Sequence, residues 1–165
     1  MQFDHLNFLI DSVFMPDESG AVYQKYHDVS PNTLNPLVLA YIGDAYFHLF
    51  VRSKLLSYEQ NKVQVLHQFS AQIVSAVWQA KAYYGIEPIL TDAEKAAFKR
   101  GRNAKSHVPK SASVAEYRAS TGFEALMGML YLSKQQERLC ELAEKSFEII
   151  SQTMMKQRHS KQYGR

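Results

Sequence analysis

The sequence predicts an all-α protein. No stretch of strand length alternates polar and apolar side chains, while several stretches repeat apolar residues at helical spacing, and three of these open on helix-start residues. With 165 residues, 46% of them hydrophobic and 21% charged, the composition is that of an ordinary globular chain able to bury its own core.

The elements follow in order. Leu6, Leu9, Ile10, Val13 and Phe14 make one short amphipathic face, closed by the Pro16-to-Gly20 turn. Asn35 followed by Pro36 fits an N-cap with proline in the first turn, and the apolar run from Leu37 continues to about Leu56. A helix is expected from about Lys62 to Tyr83, with Leu66, Phe69, Ile73, Val77 and Ala80 at core spacing and Gly85 and Pro88 ending it. The next opens at Thr91, with Glu94 as its capping-box partner, and reaches a basic stretch around Gly101. Ser113 and Glu116 form a second box for a helix to about Leu132. A last helix runs from about Lys134 to Met154.

The net charge of +3 conceals an uneven distribution. Residues 1–30 carry five acids and one base. Residues 99–110 carry Lys99, Arg100, Arg102, Lys105 and Lys110 with no acid, and residues 151–165 carry Lys156, Arg158, Lys161 and Arg165 with no acid. Such concentration suggests a polyanion site, the alternative being a solvated loop and tail.

Other classes fall away. Cys140 is the only cysteine, so neither an intramolecular disulfide nor a cysteine-rich zinc site can be drawn; its helical neighbours Leu139, Leu142 and Ala143 read it as a buried structural thiol. The six histidines show no helical metal-site pair. The longest apolar run, Leu37 to Ile42, falls far short of the roughly 20 residues of a membrane span, and the N-terminus lacks the pattern of an export leader. A cytoplasmic protein without a membrane partner is expected.

Two carboxylates stand where a core would prefer none. Asp44 lies within Leu37–Phe47 and Glu124 within Phe123–Leu130, each among apolar or small neighbours. An ionised carboxylate there costs several kcal/mol unless it finds a partner, in order of magnitude. Gly43 and Gly128 weaken helix propensity beside them by about 1 kcal/mol each, which suggests close approach of another backbone or a ligand. Each acid alone could be a salt-bridged helix residue; together they could hold a divalent ion such as Mg²⁺, which needs few carboxylates and keeps several waters.

Four segments, in order and spacing, carry a family resemblance: Leu39 to Ala45, Leu66 to Ala76, Arg100 to Ser106, and Tyr117 to Gly128. They resemble the ribonuclease III catalytic domain in its short form, Mini-ribonuclease III. The resemblance implies an all-helical homodimeric endonuclease that cleaves double-stranded RNA with Mg²⁺, leaving 5′-phosphate ends, with Asp44 and Glu124 as catalytic metal ligands. It implies 23S ribosomal RNA precursor as substrate and leaves a helper ribosomal protein open. Arg100, Arg102, Asn103 and Lys105 would contact backbone phosphates, and Thr121 would orient a metal-bound water. Two acids of the full-length pattern are replaced here by Ala40 and Thr121, which leaves the number of metals open. His48, one turn beyond Asp44, reads either as a neighbour of the site or as a surface histidine.

The expected organisation is an acidic N-terminal extension over 1–30, a catalytic domain over 31–155 and a basic tail over 156–165, with no room for a separate RNA-binding domain. The rival reading is a ribonuclease III-like module that binds RNA or ribosome-assembly intermediates without cutting.

Overall fold

The computed structural model describes residues 2–16, 18–22, 29–105 and 112–163. Among the described residues there are seven α-helices: α1 Gln2–Phe14, α2 Pro36–Leu55, α3 Val63–Ile73, α4 Ala76–Ile86, α5 Asp92–Arg102, α6 Val114–Leu132 and α7 Gln136–Tyr163, with a 3₁₀ turn at Glu87–Ile89 between α4 and α5. The described residues contain no strand beyond one isolated bridge, Pro16 to Val22. None of the helices among them is long and apolar enough to cross a membrane.

The caps form as the sequence predicts. The Leu37 N–H donates to Asn35 Oδ1 at 2.9 Å, with Pro36 opening α2. At α5 the Thr91 N–H donates to Glu94 Oε2 at 2.7 Å while Thr91 Oγ1 accepts from the Glu94 N–H at 3.3 Å. Ser113 and Glu116 repeat the exchange at α6. Each box satisfies amide groups that the first helical turn leaves without internal partners.

Helix α6 is the axis of the molecule, with Ala119 to Phe123 and Ala125 to Leu130 all buried. Its largest contact is with α2, and this contact is made backbone to backbone. A Cβ on Gly43 would lie 1.8 Å from the Glu124 carbonyl oxygen, and one on Gly128 would lie 1.9 Å from the Leu39 carbonyl oxygen. Each glycine therefore faces a carbonyl of the opposing helix and stands four residues after the carbonyl that its own helix presents in return, which brings the two backbones within reach of reciprocal Cα–H···O contacts. Phe47 and Phe123 seal the contact edge to face, with ring centroids 5.0 Å apart. On another side of α6, Gly101 of α5 packs less tightly: a Cβ there would lie 2.7 Å from the Thr121 carbonyl oxygen and 2.9 Å from the Gly122 Cα.

Arg138 ties α7 to α5. Its Nε and Nη2 donate to the two Glu94 carboxylate oxygens at 2.8 and 3.0 Å, and Nη2 also donates to the Ile89 carbonyl at 2.7 Å. The guanidinium holds the Glu94 carboxyl below its ordinary range despite burial.

Four expectations need correction. The helix expected over 62–83 is two helices. Ser75 takes an extended conformation and its carbonyl accepts from the Trp78 and Gln79 N–H groups at 2.9 Å, starting α4 in a new direction. That turn buries Trp78, Tyr83 and Ile86 but leaves Phe69 43% exposed, so Phe69 is not a core residue. Helix α6 ends at Leu132, where Lys134, with φ of 58°, lets the Gln135 N–H reach the Leu130 carbonyl; α7 then starts at Gln136 and continues through the basic residues to Tyr163. Cys140 is exposed on α7, because the buried stripe there passes through Leu139, Leu142 and Ala143 and leaves position 140 facing water. In α1, which forms where expected, Leu6, Leu9, Ile10 and Val13 remain exposed.

Candidate active site

The glycine contact decides where the acids stand. Asp44 directly follows Gly43, and the atom that Gly43 touches is the main-chain oxygen of Glu124 itself. Both carboxylates thus leave the helix pair within one residue of the same contact, from chain positions 80 residues apart.

Their surroundings differ. The Asp44 side chain is 47% exposed and its Oδ1 lies 3.2 Å from His48 Nε2, one turn along α2. Glu124 is more enclosed, and its pKa is pushed up to about 8. Loss of hydration is the larger cause; the negative charge of the neighbouring Asp44 carboxylate is the next. The Gln79 amide on α4 partly offsets this rise, although neither its Nε2 nor its Oε1 has a hydrogen-bond partner among the described residues. Two convergent carboxylates that cannot both ionise freely form a site that gains from a cation. Among the described residues no third Asp, Glu, His or Cys completes a cluster with them. A pair plus a buried amide with unused bonding capacity suits an ion that keeps much of its water, as Mg²⁺ does.

The basic stretch lies beside the acids on a neighbouring face of α6. Because Gly101 packs on Thr121, Gly122 and Ala125, the end of α5 is fixed within a turn of Glu124. Arg102, Asn103 and Lys105 are exposed there. Arg100 is not equivalent to them: it is half-buried, and its Nη2 donates to the Leu34 carbonyl at 2.5 Å, tying α5 to the chain that enters α2. Lys110 lies outside the described residues. Thr121 is buried, and its hydroxyl donates to the Tyr117 carbonyl at 3.0 Å, so its proton is used within α6 and only its lone pairs remain. Ala40 is likewise buried.

Sequence reasoning did not single out Gln79. The signal was a polar residue between Trp78 and Ala80, at a position the helical spacing of its segment leaves off the core stripe; only the break at Ser75 turns it inward.

A helical domain that converges two carboxylates beside a basic helix end has the form of a metal-assisted phosphodiester hydrolase. The Ribonuclease III domain model matches residues 37–135, and the chain belongs to the ribonuclease III family. It is therefore an endoribonuclease. Similar curated relatives are Mini-ribonuclease 3 of Symbiobacterium thermophilum, 48% identical over 73% of this chain and 94% of the relative, and Mini-ribonuclease 3 of Staphylococcus aureus, 43% identical over 72% and 91%. Among solved structures, a crystal structure of a Fusobacterium nucleatum protein matches with a TM-score of 0.63 and 31% identity, covering 68% of this chain and 90% of that one.

Proposed function

We propose that this chain is a Mg²⁺-dependent endoribonuclease that cleaves double-stranded RNA as a cytoplasmic homodimer, maturing the ends of 23S ribosomal RNA precursor. Residues 31–155 form the catalytic domain, flanked by the acidic extension over 1–30 and the basic tail. The observation that carries the reading is the convergence of Asp44 and Glu124 on one glycine contact, with the Glu124 pKa pushed up to about 8.

Asp44 and Glu124 would hold the ion. When bound, Mg²⁺ supplies an acidified water and charge stabilisation at the phosphate. Glu124 gives up its proton on binding, since burial beside Asp44 otherwise keeps it protonated near neutral pH. Asp44, open to solvent, faces the water through which a phosphodiester must approach. Arg102, Asn103 and Lys105 hold backbone phosphates, which positions an A-form duplex without reading its bases. Release of the 3′-oxygen leaves a 5′-phosphate end.

Asp44→Asn should abolish cleavage of a perfect RNA duplex while leaving circular dichroism and duplex binding close to those of the parent. A variant that still cuts at the parental rate would overturn the assignment.

A further inference from the structure

Gln79 is 1% exposed, and neither of its amide atoms finds a hydrogen-bond partner among the described residues. A buried amide without partners is unfavourable, and Leu or Met would fill the same volume without that cost. The amide lies on α4 where that helix packs on α6, next to the Glu124 side chain. Opposite it, Asp44 approaches Glu124 from α2. Glu124 thus feels an exposed acid from α2 and a buried amide from α4.

We infer that Gln79 is a positioning residue for the metal-binding carboxylates: unpartnered in the metal-free chain, its Nε2–H group donates to the Glu124 carboxylate and orients it once a cation is held there. This inference rests on the proposed metal role of Asp44 and Glu124. The choice of an amide has a chemical reason. An Arg or Lys at this place would also donate to Glu124, but its charge would cancel the negative field that attracts a cation. An amide supplies the donor and leaves that field intact. Partners that orient a metal ligand in this way typically contribute about 10–100-fold to metal affinity.

The test uses Mn²⁺ as a spectroscopic substitute for Mg²⁺. Free Mn²⁺ is measured by electron paramagnetic resonance against the full-length parent, Gln79→Met, Gln79→Leu and Asp44→Asn, with thermal unfolding recorded for each without metal. The expected result is a loss of Mn²⁺ affinity of about 10–100-fold in both Gln79 variants, with midpoints of unfolding no lower than the parent's because an unpartnered amide has been removed from the core. A purely structural role would move the midpoints and leave Mn²⁺ affinity unchanged. Parental Mn²⁺ affinity in whichever Gln79 variant folds, alongside an Asp44→Asn variant that has lost it, overturns the inference and spares the metal site. Parental affinity in Asp44→Asn as well overturns the metal site and the inference together.

Discussion

Gly43→Ala should disable the site without touching either carboxylate. The new Cβ would sit 1.8 Å from the Glu124 carbonyl oxygen and 2.6 Å from the Gly128 nitrogen, against the 3.4 Å at which ordinary contact begins. The obstructing atoms are backbone, so no rotamer change relieves the clash, and α2 and α6 must part by about 1.6 Å, the shortfall between 1.8 and 3.4 Å. Overpacking of this kind costs about 1–3 kcal/mol or more. The better helix propensity of Ala returns about 1 kcal/mol, so a net loss of up to about 2 kcal/mol or more is expected in urea denaturation, toward the upper end because the obstructing atoms are backbone. Activity should suffer more, because Asp44 and Glu124 sit on the two helices being separated and a displacement of about 1 Å can cost 10²-fold in rate. Single-turnover cleavage of an RNA duplex reads this directly. Gly128→Ala, whose Cβ would meet the Leu39 carbonyl at 1.9 Å, should match it from the opposite helix. Gly85→Ala is the control: the three atoms nearest its Cβ belong to the Ile149 side chain rather than to backbone and lie away from α2 and α6, so cleavage should stay near the parental rate even if stability falls. Parental stability and activity in Gly43→Ala would refute the reasoning. Loss in Gly43→Ala with none in Gly128→Ala would show a local effect on Asp44 rather than a separation of helices.

Arg102→Ala and Lys105→Ala should each weaken duplex binding and lower the slope of log K against log salt by about 1. Arg100→Ala should leave that slope unchanged and instead reduce stability by about 1 kcal/mol, since it leaves the Leu34 carbonyl without its partner; a flattened slope there would return Arg100 to the RNA interface. The metal-free protein should lose stability as pH rises from about 4.5 through about 8. The Glu124 pKa is raised in the folded state from an ordinary 4.5 to about 8, so across that window the folded chain holds a proton that the unfolded chain releases. Glu124→Gln should flatten this part of the urea-midpoint profile measured in chelator, and an unchanged profile would assign the dependence elsewhere.

What the sequence revealed divides along the range of the forces involved. Caps act within four residues, so Asn35, Thr91 and Ser113 are readable as written, and the structure places their bonds as expected. The two acids were readable because a charge among apolar residues is conspicuous, and their glycines because a helix rarely tolerates them without reason. The break at Ser75 was not readable, since apolar spacing continues across it without Gly or Pro and the turn depends on how α4 meets α6. Cys140 and Phe69 failed for a related reason. Residue character sets which side chains can be buried, but which flank of a stripe faces the core depends on the neighbouring helix. Arg100 looked like its neighbours in the basic stretch, and only the position of the Leu34 carbonyl, 66 residues earlier, separates it from them.

The central place of α6 also bears on when activity can arise during synthesis. The chain emerges N-terminus first, so α2 and Asp44 are made while the helix they pack against does not yet exist. Until residues 114–132 follow, Leu39 and Phe47 have no α6 surface to bury against, and the long-range α2–α6 pairing that forms the core cannot close. A nascent chain that stops before α6 therefore lacks one acid and the helix that orients the other. The candidate carboxylate pair is completed only late in translation, so unfinished chains on the ribosome carry only half of it.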